Sequence, residues 1–323
     1  MKTRRTYWHL EAQKRVPSAY DIGSSRLLYY LERGFEVETP VAEWYRRHQA
    51  ASPLELAAVA GFRDPRATTY AKYVALAHEK EAFVDGLLRA ADESDYDSTL
   101  GAEWLASLER WLPVLLYPCH GLQMVSAYVG QLAPTSELVI AFAFQTGDEM
   151  RRIQRLAYRV KQLEGRGAGF GNGKATWERA APWQPLRRVI EELLVTYDFG
   201  EALVTLALVV KPLFDAFFMQ HGGRLAEARR DPLLSRLFFS LNEDCRWHES
   251  FTDELVRVIA SSDPAGFAFV QRVARERYVR ARAGFSALEA LWDPGLEPFS
   301  LVMESLDAQI MKRWHTLGLE AAA

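Results

Sequence analysis

The chain has almost no cysteine, no excess of positive charge and no long hydrophobic run, and each shortage excludes something. Two cysteines in 323 residues, Cys119 and Cys245, rule out a disulfide framework and any knot of paired CxxC motifs. Two free buried thiols in a reducing cytoplasm are expected instead. Lysine and arginine number 39 against 42 aspartate and glutamate, so no basic face recommends nucleic acid as a partner. The longest apolar stretches, residues 138–144 and 202–210, fall short of the ~20 residues a membrane span requires. Residues 1–5 lead into Tyr7-Trp8-His9 rather than into the apolar core of a signal peptide. Alternating hydrophobicity of useful length is missing too, which excludes a β architecture.

What is present reads as an all-α protein. Capping residues followed by proline recur at Thr39-Pro40, Ser52-Pro53, Asp64-Pro65, Asp231-Pro232 and Asp263-Pro264, and each pair predicts a helix start, because proline fits the first helical turn. Pro113 and Pro118 predict a kink or split in the segment 102–133. Thr135 or Ser136 opens the helix that follows, and further helices are predicted over 198–218, 231–261 and 264–291. The alternating glycines of 165–173 lack the spacing and the preceding strand of a phosphate loop, so a flexible surface connection is predicted. Residues 1–38 show no period and are rich in aromatics. They are read as an extended arm, and 39–323 as one helical domain. Aromatics make up 12% of the chain, with nine tryptophans, a composition suited to large permanent interfaces.

The polar residues inside these helices pose the functional question. A helical bundle holding two irons needs six ligands: a Glu from each of two helices and a Glu-x-x-His pair from each of two others. Three positions before the seven histidines stand Thr6, Tyr45, Ala75, Tyr117, Phe218, Cys245 and Lys312, and none is a carboxylate. Yet residues 148–152, Asp-Glu-Met-Arg-Arg, keep the form Asp-Glu-x-Arg-His with Arg152 where the histidine would stand, three positions after Glu149. Residues 243–247 repeat the form with Asp244 for Glu and Trp247 for His. Glu201 stands alone on an apolar helix, and Gln123 offers an amide on a fourth. Two readings follow. Glu149, Glu201, Asp244 and Arg152 form a buried ion-pair cluster, with Arg151 and Arg246 as further partners. Alternatively, the chain is an autonomous oxidase or oxygenase with an unusual metal set drawing on His248 or His120. A helical module binding a small apolar ligand is a weaker third.

A series of motifs in order then resembles a known family. Residues 8–10 and 17–22, 62–65, 122–129, 133–134, 177–178, 182–184, 198–202 and 208–212 are similar to the β subunit of the hydroxylase component of bacterial multicomponent monooxygenases, nearest the toluene/o-xylene and alkene branch. The last sixty residues match only loosely. The resemblance implies a ferritin-like bundle with extra helices and an irregular N-terminal arm. It implies a non-catalytic chain without metal, while a larger α subunit carries the di-iron centre. It also implies α and γ partners, a second αβγ protomer, an effector protein, a Rieske ferredoxin and an NADH reductase. On this view Tyr7, Trp8, Tyr20, Asp21, Tyr29 and Tyr30 in the arm are the expected contacts with a partner subunit.

Overall fold

The computed structural model describes residues 10, 16–25, 40–292 and 297–320, and no strand occurs among them. The helices are α1 (Ala19–Ser24), α2 (Pro40–Tyr45), α3 (Leu56–Val59), α4 (Tyr70–Glu93), α5 (Ala102–Trp111), α6 (Leu116–Leu132), α7 (Ser136–Leu163), α8 (Gly173–Arg179), α9 (Gln184–Leu194), α10 (Phe199–Ala228), α11 (Pro232–Ser262), α12 (Pro264–Ser286) and α13 (Phe299–Thr316).

Helices α6, α7, α10 and α11 enclose the centre. Three residues join α6 to α7, so the two run back antiparallel, and they approach so closely that a Cβ on Gly130 would stand 3.0 Å from Phe142 Cβ. Helix α10 holds at most two charged residues in its apolar window and is buried along the whole of that window. It is long and apolar enough to cross a membrane, longer than the separate runs in the sequence suggest, but here it is the core helix of the bundle. Two π turns, Thr205–Val210 and Asp215–His221, widen it. Carbonyl groups in the first of these are taken up from outside, with the Trp314 indole donating to Leu208 O at 3.2 Å. Helix α13 is thereby fastened to α10.

Three of the five predicted proline starts are helix starts: Pro40, Pro232 and Pro264. Asp231 and Asp263 cap the last two through their carboxylates. The other two are turns whose caps serve elsewhere. Ser52 Oγ donates to Asp198 Oδ1 at 3.0 Å and accepts from Gly200 N at 3.1 Å, so it staples a distant loop to the start of α10. Asp64 accepts from Arg66 N and Thr68 N, and the helix behind it begins only at Tyr70, capped by Thr69. Pro113 lies in a 3₁₀ turn, Leu112–Leu115, that splits α5 from α6. The glycine stretch is two 3₁₀ turns packed on Glu109 rather than a loose connection. A Cβ on Gly167 would overlap Glu109 Oε1, and Gly169 N donates to that oxygen at 3.2 Å.

In the arm, α1 is a regular turn of helix with a complete capping box between Ser18 and Asp21. Tyr20 and Asp21 are 4% and 1% exposed and hold this turn on the chain's own body. Asp64 N donates to the Tyr20 hydroxyl at 3.1 Å, and Arg63 pairs with Asp21. Tyr7, Trp8, Tyr29 and Tyr30 lie outside the described residues.

Candidate functional site

At the centre of the four helices, two side chains of α7 and two of α10 close a ring of alternating charge. Arg152 Nη1 lies 3.2 Å from Glu149 Oε2 and 2.9 Å from Asp215 Oδ1. Lys211 Nζ lies 2.7 Å from Glu149 Oε1 and 2.6 Å from Asp215 Oδ2. Helical spacing of three and four residues puts each pair on one face. All four side chains are at most 3% exposed, and their charges sum to zero, the condition under which such burial is tolerable. Both Glu149 oxygens and Asp215 Oδ1 are held by charge rather than by aligned hydrogen bonds. Arg152 Nη2 also donates to Cys245 Sγ at 2.7 Å. Burial works against ionising Asp215, yet Arg152 and Lys211 hold it below the usual carboxylate range. Burial lifts the Cys119 thiol to about 12 and Cys245 well above its ordinary value, so both stay protonated at neutral pH.

A second layer lies outside this ring. Asp148 accepts from the Tyr73 hydroxyl at 3.1 Å and from His248 Nε2 at 3.0 Å. Burial raises Asp148 to about 6 and depresses His248 to about 3, so near neutrality a neutral imidazole donates to a carboxylate. Asp244 accepts from Arg151 Nη1 at 2.7 Å and pairs with Lys80. Arg151 also reaches Ser240 Oγ at 2.9 Å and pairs with Glu81. Helix α4 is tied down by these charges more than by an apolar face, since only Val84, Leu88 and Ala91 of its 24 residues are buried.

The structure divides the residues the sequence grouped together. Glu149 and Arg152 do form a buried ion pair. Asp244 belongs to the outer layer. Trp247 packs among Tyr73, Phe144 and Phe251, with its indole on Asp64 Oδ1 at 3.4 Å. Glu201 is absent from the cluster and pairs with Arg277 near the surface; its place ten residues before Lys211 is roughly 15 Å along the helix axis. Gln123 is half-buried, and the polar group of α6 that faces α7 is Ser126, which accepts from Gln145 Nε2 at 2.9 Å. Arg246 and His120 are exposed. The inward pair on α11 is therefore Cys245 and His248, one residue later than the Asp244 and Trp247 frame. Lys211 and Asp215 were missed, although a lysine and an aspartate four apart in an apolar run are a legible signal of a buried ion pair.

These residues do not fit a di-iron group. Two carboxylates are already neutralised by two fixed cations, and the thiols are protonated. Among the described residues no set of three or more His, Cys, Asp or Glu is placed to hold a metal ion.

The sequence profile described as Methane/Phenol/Alkene Hydroxylase matches residues 44–263. The chain belongs to this hydroxylase family. Within it, the chain is 33% identical over 264 residues to the β subunit of the hydroxylase component of the toluene-4-monooxygenase system of Ectopseudomonas mendocina, covering 79% of this chain and 81% of that one. It is 28% identical over 164 residues to the small subunit of the propane 2-monooxygenase hydroxylase component of Mycolicibacterium smegmatis, covering 49% of this chain and 44% of that one. A chain in the structure of toluene 4-monooxygenase with toluene bound in its resting active site superposes with a TM-score of 0.84 at 30% identity, over 90% of this chain and 98% of that chain. A chain of xenon-pressurised phenol hydroxylase from Pseudomonas sp. OX1 gives a TM-score of 0.83 at 17% identity, over 98% and 96%, a likeness of fold alone. The hydroxylase family's ferritin-like fold is thus the fold of this chain.

Proposed function

We propose that this chain is a structural β subunit of the hydroxylase component of a di-iron hydrocarbon monooxygenase and holds no metal itself. The observation that carries the reading is the ring at the bundle centre, where Arg152 and Lys211 supply the positive charge that carboxylates of a metal-bearing bundle would find in iron. The family and the named β and small subunits supply the context. In this reading the iron resides in a larger α subunit, and the task of this chain is to keep the partner's metal-bearing helices rigid. A γ subunit and a second αβγ protomer complete the hydroxylase, and an effector protein, a Rieske ferredoxin and an NADH reductase serve it in the cytoplasm. Tyr7, Trp8, Tyr29 and Tyr30 are our candidates for contact with another subunit, with Tyr20 and Asp21 anchoring the arm that bears them. Residues 1–38 act as that arm and 39–323 as one ferritin-like domain.

Tagged purification from the native host, with co-purifying chains identified by mass and iron counted per chain, tests this. A larger chain in stoichiometric amount, with iron following it, is the expected result. Recovery of this chain alone with bound iron, lost in Glu149→Ala, would establish the autonomous oxygenase instead.

A further inference from the structure

We propose that the small cavity beside the charge ring is a binding site for one water molecule, which donates to Gln145 and His248 and accepts from Lys211. The cavity measures about 10 Å³ and is lined by these three residues together with Asp215, Cys245 and Thr252, among others. One water needs roughly that space and two to four polar partners.

The hydrogen-bond inventory specifies which polar groups of the lining residues are left to bond a guest. Ser126 donates its only hydroxyl proton to Leu122 O at 2.8 Å, so toward Gln145 it accepts, which assigns the Gln145 amide nitrogen to it. Gln145 Oε1 is left as an acceptor, 1% exposed as a residue and without a partner among the described residues. His248 donates from Nε2 to the Asp148 carboxylate, so its Nδ1 carries a bare lone pair, also buried and unpartnered among the described residues. Neighbouring protons are already committed: Thr252 donates to His248 O at 2.7 Å, and the Cys245 thiol to Leu241 O at 3.4 Å. Lys211 has three protons for two close carboxylates, while its nearest remaining contact, Cys245 Sγ, is 3.9 Å away. Two acceptors and one spare donor thus surround a space of one water, whose two protons and one of whose lone pairs match them. A metal cation there would stand against the Lys211 ammonium, and an anion could not donate to two acceptors. The water joins the inner ring to the chain His248, Asp148, Tyr73, and makes one network of the two layers. The inference does not depend on the chain being a subunit.

Diffraction data from the purified full chain, or from the complex in which it is isolated, at a resolution that shows ordered water, provide the test. We expect a density peak at about 3 Å from Gln145 Oε1, His248 Nδ1 and Lys211 Nζ. No peak, or a peak with a metal's anomalous signal, overturns the proposal. In the double variant Gln145→Met with His248→Phe the peak should vanish; its persistence would show that other groups hold it. If that variant does not fold, the ¹⁵N spectrum of histidine-labelled wild type decides. An unprotonated, hydrogen-bonded His248 Nδ1 supports the site, and a protonated Nδ1 sinks it.

Discussion

Removing the guanidinium of Arg152 while keeping its bulk, as in Arg152→Met, leaves Glu149 and Asp215 facing Lys211 alone, with one carboxylate charge uncompensated in the core. Breaking a buried network this way costs about 3–5 kcal/mol, read as a lower denaturant midpoint. Replacing all four ring residues by apolar ones of similar volume is expected to be neutral or to stabilise by about 1–4 kcal/mol, since the desolvation of the ions is relieved together with their attraction. A large loss in that quadruple variant would show that the ring itself stabilises the fold. His248 and Asp148 make opposite contributions to the pH dependence. The depression of His248 from 6.5 to about 3 gives stability that is present above pH 6.5 and drains as the pH falls toward 3. Asp148, raised from 3.8 to about 6, adds stability as the pH falls through that interval, because the folded chain takes up the proton first. The substitution His248→Gln removes the histidine contribution, so between pH 6.5 and 3.8 wild type should lose unfolding free energy more steeply than the variant as the pH falls. Equal slopes would contradict the assignment.

Two glycines distinguish packing from propensity at the level of the helix. Gly200, in the first turn of α10, lies where a Cβ would come within 2.8–2.9 Å of Leu54 Cβ, Phe269 Cε1 and Ser52 Oγ. Gly200→Ala should displace the Ser52 staple and cost about 1–3 kcal/mol. Gly86, in the exposed middle of α4, has no neighbour within 4 Å of its would-be Cβ apart from the adjacent residues and the backbone of its own helix. Gly86→Ala in the chain alone should therefore stabilise by about 0.5–1 kcal/mol through helix propensity. Thermal unfolding of the two variants side by side tests both, and a common sign would refute the distinction. Helix α10 also shows why a helix start was more legible than its end, predicted at 218 and found at Ala228, or its phase. Its Asp198 cap is local chemistry, whereas its π turns fit an extra residue into a turn and rotate every later side chain away from an α-helical extrapolation.

The molecule as a whole leaves one helix thinly covered. Tyr70, Val74, Leu76 and Phe83 of α4 are 76%, 44%, 38% and 49% exposed, an apolar display uncommon on a chain that lives alone. The chain expressed by itself should self-associate in light scattering, and Val74→Lys with Phe83→Lys should reduce that association. A monodisperse wild-type monomer would speak against a permanent subunit. By itself the sequence determined the all-α class, several helix starts and the lack of Glu-x-x-His pairs, because periodicity, caps and residue chemistry act within a few positions of one another. It also placed Glu149 beside Arg152, three positions apart on one helix. Only the tertiary structure decided that Cys245 and His248 face inward in place of Asp244 and Trp247, that Lys211 and Asp215 complete the ring, and that Glu201 ends on Arg277. Adjacent residues on a helix point about 100° apart. A motif fixes spacing, but the face it presents is set by how four helices rotate to bury their apolar surfaces together.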